Sequence, residues 1–146
     1  MHRFLPDINT VLALLDPLHV HHHDAHRWYE AVSPVQLVIC PHVENGVMRV
    51  ASQPRYPNHL GTASTVREVL KKFIDQLDVE RCTIEPSLMD DKILKSPEKL
   101  TPSSISDLYL LSVALSNGAK LATFDQRIKS SAIHGGRKAL EIIPIA

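Results

Sequence analysis

Hydrophobic positions along the chain fall into two spacings. Short continuous apolar runs occur at residues 3–6, 35–40, 82–85, 119–124 and 140–143, without polar alternation. Such runs predict strands buried on both faces, as in a parallel sheet. Between them lie stretches whose apolar residues recur every three or four positions, the period of a helix with one buried face. A short helix is expected at 11–15, with Asn9 and Thr10 offering caps and Asp16-Pro17 closing it. A second is expected at 19–32, striped by Ala25, Trp28, Tyr29 and Val32 and broken by Ser33-Pro34. A third starts at Pro41 and carries Glu44, Val47, Met48 and Val50. Residues 65–77 give a plain amphipathic helix through Val66, Val69, Leu70, Phe73, Ile74 and Leu77. Residues 86–94 read as a short acidic helix, 95–104 as a polar loop, and 126–133 as a short helix or turn. Strands alternating with helices predict a three-layer α/β/α sandwich around a mostly parallel sheet. No repeat or low-complexity segment interrupts the pattern, and residues 1–146 read as a single domain.

The stretch from Ser106 to Arg127, SDLYLLSVALSNGAKLATFDQR, organises the rest. Residues 107–116 are apolar too continuously for a surface helix and predict a largely buried one. Asn117-Gly118 ends it, glycine supplying the left-handed backbone a helix end needs. The apolar run 119–124 then predicts a buried strand. A helix antiparallel to the following strand returns its start to the strand's end, so Asp107 and Asp125 are expected on the same side of the molecule.

In an open α/β sheet, ligands bind beyond the carboxyl ends of the strands. That rule selects four of the 16 acids. Asp7 ends the first strand, Glu44 follows the second by four residues, Asp125 ends the fourth, and Asp107 opens the helix that starts at the same edge. Four carboxylates on one edge would repel one another and raise each other's pKa values. A hard divalent cation relieves this, and carboxylate oxygen with water suits Mg²⁺ or Mn²⁺. Such an ion can lower the pKa of a bound water and stabilise a leaving oxygen, so hydrolysis of a phosphodiester is the chemistry implied. The bland reading is that some of these acids, Asp107 among them, are helix caps.

LPDINTVLALLD, CPHVENGVMRV, ISDLYLLSVALSNGAKLATFDQRI and the closing strand together resemble the PIN-domain family, and within it the VapC toxins of bacterial toxin–antitoxin pairs. The resemblance covers nearly the whole chain, with the motifs in order. DPLHVHHHDAHRW also resembles a subgroup of these toxins. The resemblance implies a metal-dependent endoribonuclease whose acidic site is Asp7, Glu44, Asp107 and Asp125, leaving 5′-phosphate and 3′-hydroxyl ends. It implies that Thr123 orients a carboxylate or water, and that Asn9 is the small polar residue following the first acid. It implies Mg²⁺ or Mn²⁺ as cofactor, structured RNA such as transfer or ribosomal RNA as substrate, a homodimer, and a VapB-like antitoxin that blocks the acidic pocket. The alternative is a PIN-fold module that binds RNA or protein without cutting. A phosphatase of small esters is a weaker third reading. The DINTV run lacks the second aspartate of dehalogenase-like phosphatases, and the receiver-domain residues are absent.

Charge and cysteines change little. The formal net charge is zero, so bulk charge is silent on nucleic acid. Arg127, Lys129, Arg137 and Lys138 fall between Asp125 and Glu141 with no acid among them, and fit either a solvated surface or phosphate contacts. Arg49, five residues after Glu44, fits an acid partner, an RNA contact or plain surface. The histidines from His19 to His26 include i, i+4 pairs that could chelate zinc, but no cysteine or HExxH glutamate accompanies them, and a surface role is favoured. Cys40 and Cys82 read as buried free thiols. No charged-then-apolar leader opens the chain and no apolar run nears the ~20 residues of a membrane span. A cytoplasmic bacterial protein without membrane contact is expected.

Overall fold

The computed structural model describes residues 1–146. Strands β1 (His2–Pro6), β2 (Val35–Ile39), β3 (Glu80–Arg81), β4 (Lys120–Thr123) and β5 (Leu140–Ile142) form one sheet in the order β3-β2-β1-β4-β5. Every neighbouring pair is parallel. Five helices cover it: α1 (Ile8–Leu15), α2 (His22–Val32), α3 (Pro41–Ala51), α4 (Ala63–Gln76) and α5 (Ile105–Ser116). The result is the expected three-layer α/β/α sandwich, with one contiguous core of 33 buried apolar residues.

The central strand β1 buries Phe4, Leu5 and Pro6, and pairs with β2 on one side and β4 on the other. Helix α5 buries Leu108, Leu110, Leu111, Ser112, Val113 and Ala114, the nearly all-round burial its apolar run predicts. It packs against β1 and β4. Gly118 (φ +67°) turns the chain from α5 into β4. Helix α3 can lie on α1 because Gly46 faces Ile8: a Cβ there would stand 2.2 Å from Ile8 Cδ1.

Several expected boundaries move. Helix α1 starts at Ile8, and its cap is Asp7 rather than Asn9 or Thr10: Asp7 Oδ1 accepts the Thr10 backbone N–H at 2.9 Å. Helix α2 starts at His22, residues 19–21 forming a turn before it. The third strand lies at Glu80–Arg81, ahead of the expected 82–85. There, the backbone N–H groups of Thr83 and Ile84 both donate to Asn117 Oδ1, so a side chain ends the strand ladder. Residues 86–94 form turns instead of a helix. Ser87 Oγ accepts from Met89 N–H and Asp90 Oδ1 from Lys92 N–H, the local bonds that compete with helix. The 126–133 segment contains a short 3₁₀ turn, Ser130–Ala132, and a second spans Gly136–Ala139. Cys40 is buried and Cys82 half-buried, both as free thiols.

Candidate active site

The carboxyl ends of β1 and β4 are adjacent, since Leu5 pairs with Leu121 and Pro6 with Ala122. Asp7 follows β1 directly and its backbone N–H donates to Ala122 O at 3.0 Å. Its carboxylate is buried, with both oxygens engaged. Oδ1 caps α1 through Thr10, and Oδ2 accepts the Thr123 hydroxyl at 2.6 Å. The Thr123 oxygen in turn accepts the Asp125 backbone N–H at 3.0 Å. One buried hydroxyl thus links the acid after β1 to the acid after β4. Asp107 sits in the first turn of α5, which begins at this edge.

Two adjoining hollows of about 430 and 410 Å³ share Asp107, Asp125 and Arg127. Asp7, Asn9 and Ser106 line one; Thr101, Ser103, Ser104 and Lys129 line the other. The electrostatics agree with this gathering. Burial pushes the Asp7 carboxyl above the ordinary range, against the Thr123 and Thr10 hydrogen bonds, and the Asp125 charge adds to the rise. Burial likewise raises Asp107, followed by the charges of Asp7 and Asp125, with Arg127 opposing. Asp125 is lowered, chiefly by the Arg127 backbone N–H at 2.8 Å and then by the Arg127 side chain, Nε lying 3.2 Å from Oδ1. Asp7 therefore senses the charge of Asp125, and Asp107 the charges of both, across a single opening.

Glu44 occupies the first turn of α3, but it does not line these hollows. It forms a two-pronged ion pair with Arg81, with Nη2–Oε2 at 2.7 Å and Nη1–Oε1 at 3.1 Å. Arg49 is exposed, and its charge acts with burial to lower His42. Arg127 and Lys129 are exposed at the rim. No three His, Cys, Asp or Glu side chains stand close enough to cage a metal ion by themselves.

The histidine run serves α1. Its last carbonyls lack helical partners; His22 Nδ1 meets Ala13 O and His26 Nε2 meets Leu14 O, each at 2.8 Å. His21 stacks on Phe124 with ring centroids 4.7 Å apart. His19 Nε2 lies 3.0 Å from Asn9 Oδ1, and burial with the nearby His21 and His22 pushes its pKa below the ordinary imidazole range, Asp16 opposing. Sequence reasoning passed over the hydroxyls of Thr101, Ser103 and Ser104; the TPSSIS run immediately before α5 was the available signal. It also passed over Asp16, which is buried yet charged at neutral pH. Burial would raise this acid, but hydrogen bonds from Tyr56, Asn58 and the Leu18 N–H outweigh that and lower it.

Comparison with known proteins places the chain in a family. The model of the PIN domain matches residues 4–133. The ribonuclease VapC44 of Mycobacterium tuberculosis is 33% identical over 136 residues, covering 93% of this chain and 95% of its own length. Ribonuclease VapC38 of the same organism is 28% identical over 142 residues, or 97% and 98% of the two chains. Among solved structures, VapBC2 of Rickettsia felis, bound to a DNA fragment from its promoter, superposes with a TM-score of 0.58 at 13% identity. That match covers 96% of this chain and 98% of the other. VapC20 of Mycobacterium tuberculosis, a toxin that cleaves the sarcin-ricin loop, gives 0.57 at 13% identity, over 89% and 95%. The structural likenesses speak for the fold alone. The domain match and the full-length VapC44 relative establish that this chain belongs to the PIN-domain family.

Proposed function

We propose that this protein is a divalent-metal-dependent endoribonuclease and the toxin of a VapBC-type toxin–antitoxin pair. The observation that carries the reading is the gathering of Asp7, Asp107 and Asp125 at one opening, two of them with raised pKa values. The VapC ribonucleases that match this chain over nearly its whole length support it.

The donor chemistry fits Mg²⁺ or Mn²⁺: carboxylate oxygens, no thiolate and no imidazole on the opening. Asp7, Asp107 and Asp125 would hold the ion, and Glu44, set back in its Arg81 pair, would act through water. When bound, such an ion supplies charge neutralisation at the phosphate and a water of lowered pKa. The protein's own groups do the positioning. The Thr123 hydroxyl fixes Asp7 and carries the Asp125 main chain, setting the spacing of two acids. Thr10 holds the other Asp7 oxygen. Ionised Asp125, kept so by Arg127, is the acceptor for a proton from an attacking water. Arg127 and Lys129 at the rim, and the hydroxyls of Thr101, Ser103 and Ser104, can bind RNA phosphates.

A cognate antitoxin would neutralise the acids by offering a basic side chain to the same opening, and a homodimer is the expected assembly. No helix is long and apolar enough to cross a membrane.

The test is cleavage of total bacterial RNA by antitoxin-free protein, wild type beside Asp107→Asn, with Mg²⁺, Mn²⁺ or EDTA. Discrete fragments only from wild type with metal support the proposal and begin to name the substrate. No cutting by a demonstrably folded wild type would favour a non-catalytic binding module instead.

A further inference from the structure

Asn9 lines the same hollow as Asp7, Asp107 and Asp125, and its side chain is held from behind. His19 Nε2 lies 3.0 Å from Asn9 Oδ1, and the backbone N–H of His21 points at His19 Nδ1 at 3.0 Å. A backbone N–H can only donate, so Nδ1 must accept. In a neutral imidazole the other nitrogen then carries the proton, and Nε2–H is a donor. Its partner on Asn9 must therefore be the carbonyl oxygen, which settles the orientation of an amide whose two ends are otherwise alike. With Oδ1 engaged by His19, the amide nitrogen is the free end of the side chain, and no acceptor within the protein takes its hydrogens.

We propose that His19 is a positioning residue for the active site: it turns the Asn9 amide so that its two N–H groups face the acid-lined hollow as donors for a phosphate oxygen of the RNA. The proposal rests on the nuclease reading for its ligand, but the orienting contact stands on geometry alone. It gives the hollow, walled by carboxylates, a neutral donor where a phosphate must approach against like charge. It also gives the DPLHVHHHDAH stretch a division of labour, with His22 and His26 completing α1 and His19 serving the site.

Two measurements test it on the full-length protein. Nitrogen-15 NMR of the imidazoles reads the His19 tautomer without any need for activity; protonated Nε2 and accepting Nδ1 are expected. Protonated Nδ1 would overturn the proposal, because the Asn9 amide would then turn its nitrogen to His19. The second measurement is the single-turnover cleavage rate of one defined RNA fragment by His19→Ala, Asn9→Ala and the double variant, each shown by circular dichroism to be folded. A loss of about ten- to a hundredfold is expected for each single change. The double variant should lose no more than Asn9→Ala alone, and His19→Gln, which keeps a donor, should recover part of the rate. Additive losses, or an unchanged rate in His19→Ala, would overturn the positioning role while leaving the nuclease reading intact. A wild type that shows the Nε2 tautomer and cuts no RNA would fail the nuclease reading, and the phosphate contact with it.

Discussion

Replacing Thr123 by valine keeps the shape of a fully buried side chain and removes one oxygen. That oxygen makes two bonds, donating to the Asp7 carboxylate at 2.6 Å and accepting the Asp125 N–H at 3.0 Å. A hydrogen bond to a charged group contributes about 1.5–3 kcal/mol, and an amide left without a partner in a half-buried setting costs about 1 kcal/mol more. The added methyl returns up to ~0.8 kcal/mol of apolar burial. The net expectation for Thr123→Val is a loss of about 2–3 kcal/mol at pH 7. With an unfolding entropy near 2.1 cal/mol/K per residue, that is roughly 6–10 °C in Tm for a chain of this size. The pH dependence supplies an independent sign. The Asp7 pKa is raised by burial and held down in part by the Thr123 hydroxyl. A raised carboxyl makes the fold more stable as pH falls through its folded pKa, when the costly charge is discharged. Without the hydroxyl that pKa rises further, so the variant gains this relief first. The gap between wild type and Thr123→Val should therefore narrow on going from pH 7 to pH 5. Thermal unfolding by circular dichroism in EDTA at both pH values measures it. A Tm within about 2 °C of wild type at pH 7, or a gap that widens in acid, would refute the hydroxyl bridge.

Three further outcomes follow from the same geometry. Asp7→Asn should abolish RNA cleavage yet leave the metal-free protein as heat-stable as wild type or more so, because asparagine still caps α1 while a buried charge is gone; a collapse in Tm would make Asp7 structural. Mg²⁺ or Mn²⁺ at a hundred times its Kd should stabilise the fold by about 2.7 kcal/mol, and this shift should shrink in acid and vanish in an Asp107→Asn, Asp125→Asn double variant; thermal shift against metal concentration reads both. Asp16→Ala should cost about 3 kcal/mol or more at pH 7 by stripping Tyr56 and Asn58 of their acceptor, and less at low pH, since a lowered carboxyl loses its stabilising effect as pH falls through its folded pKa; urea unfolding at pH 7 and pH 3.5 tests it.

The α5–β4 unit was legible because every cue agreed: a continuous apolar run, a helix-ending Asn-Gly and an apolar strand, framed by two acids. The edge of the sheet was not. Strand β3 is two exposed charged residues, Glu80 and Arg81, so no burial pattern marks it, while the more apolar residues after it bond to Asn117 instead. In the segment 86–94 local side-chain bonds take the backbone, Ser87 and Asp90 accepting the N–H groups of Met89 and Lys92, so Leu94 reaches the core from a turn while Met89 stays 91% exposed. Within the site, strand ends located Asp7 and Asp125 because their positions follow from main-chain topology. The Glu44–Arg81 pair joins residues 37 apart, and the Asp16–Tyr56 bond residues 40 apart; partners at that range leave no periodic trace.

The order of strands has a consequence for the protein's birth. Strand β1 finds its β2 partner within the first 37 residues, but its other neighbour, β4, begins at Lys120. The bond between Asp7 and Thr123 spans 116 residues. Contacts so distant in sequence form late, after much of the chain has been ordered. A growing polypeptide that stops short of Thr123 therefore carries the first acid on a half-paired strand and has no opening for it to line. By its topology, a chain that would threaten RNA once folded stays harmless until β4 has been made.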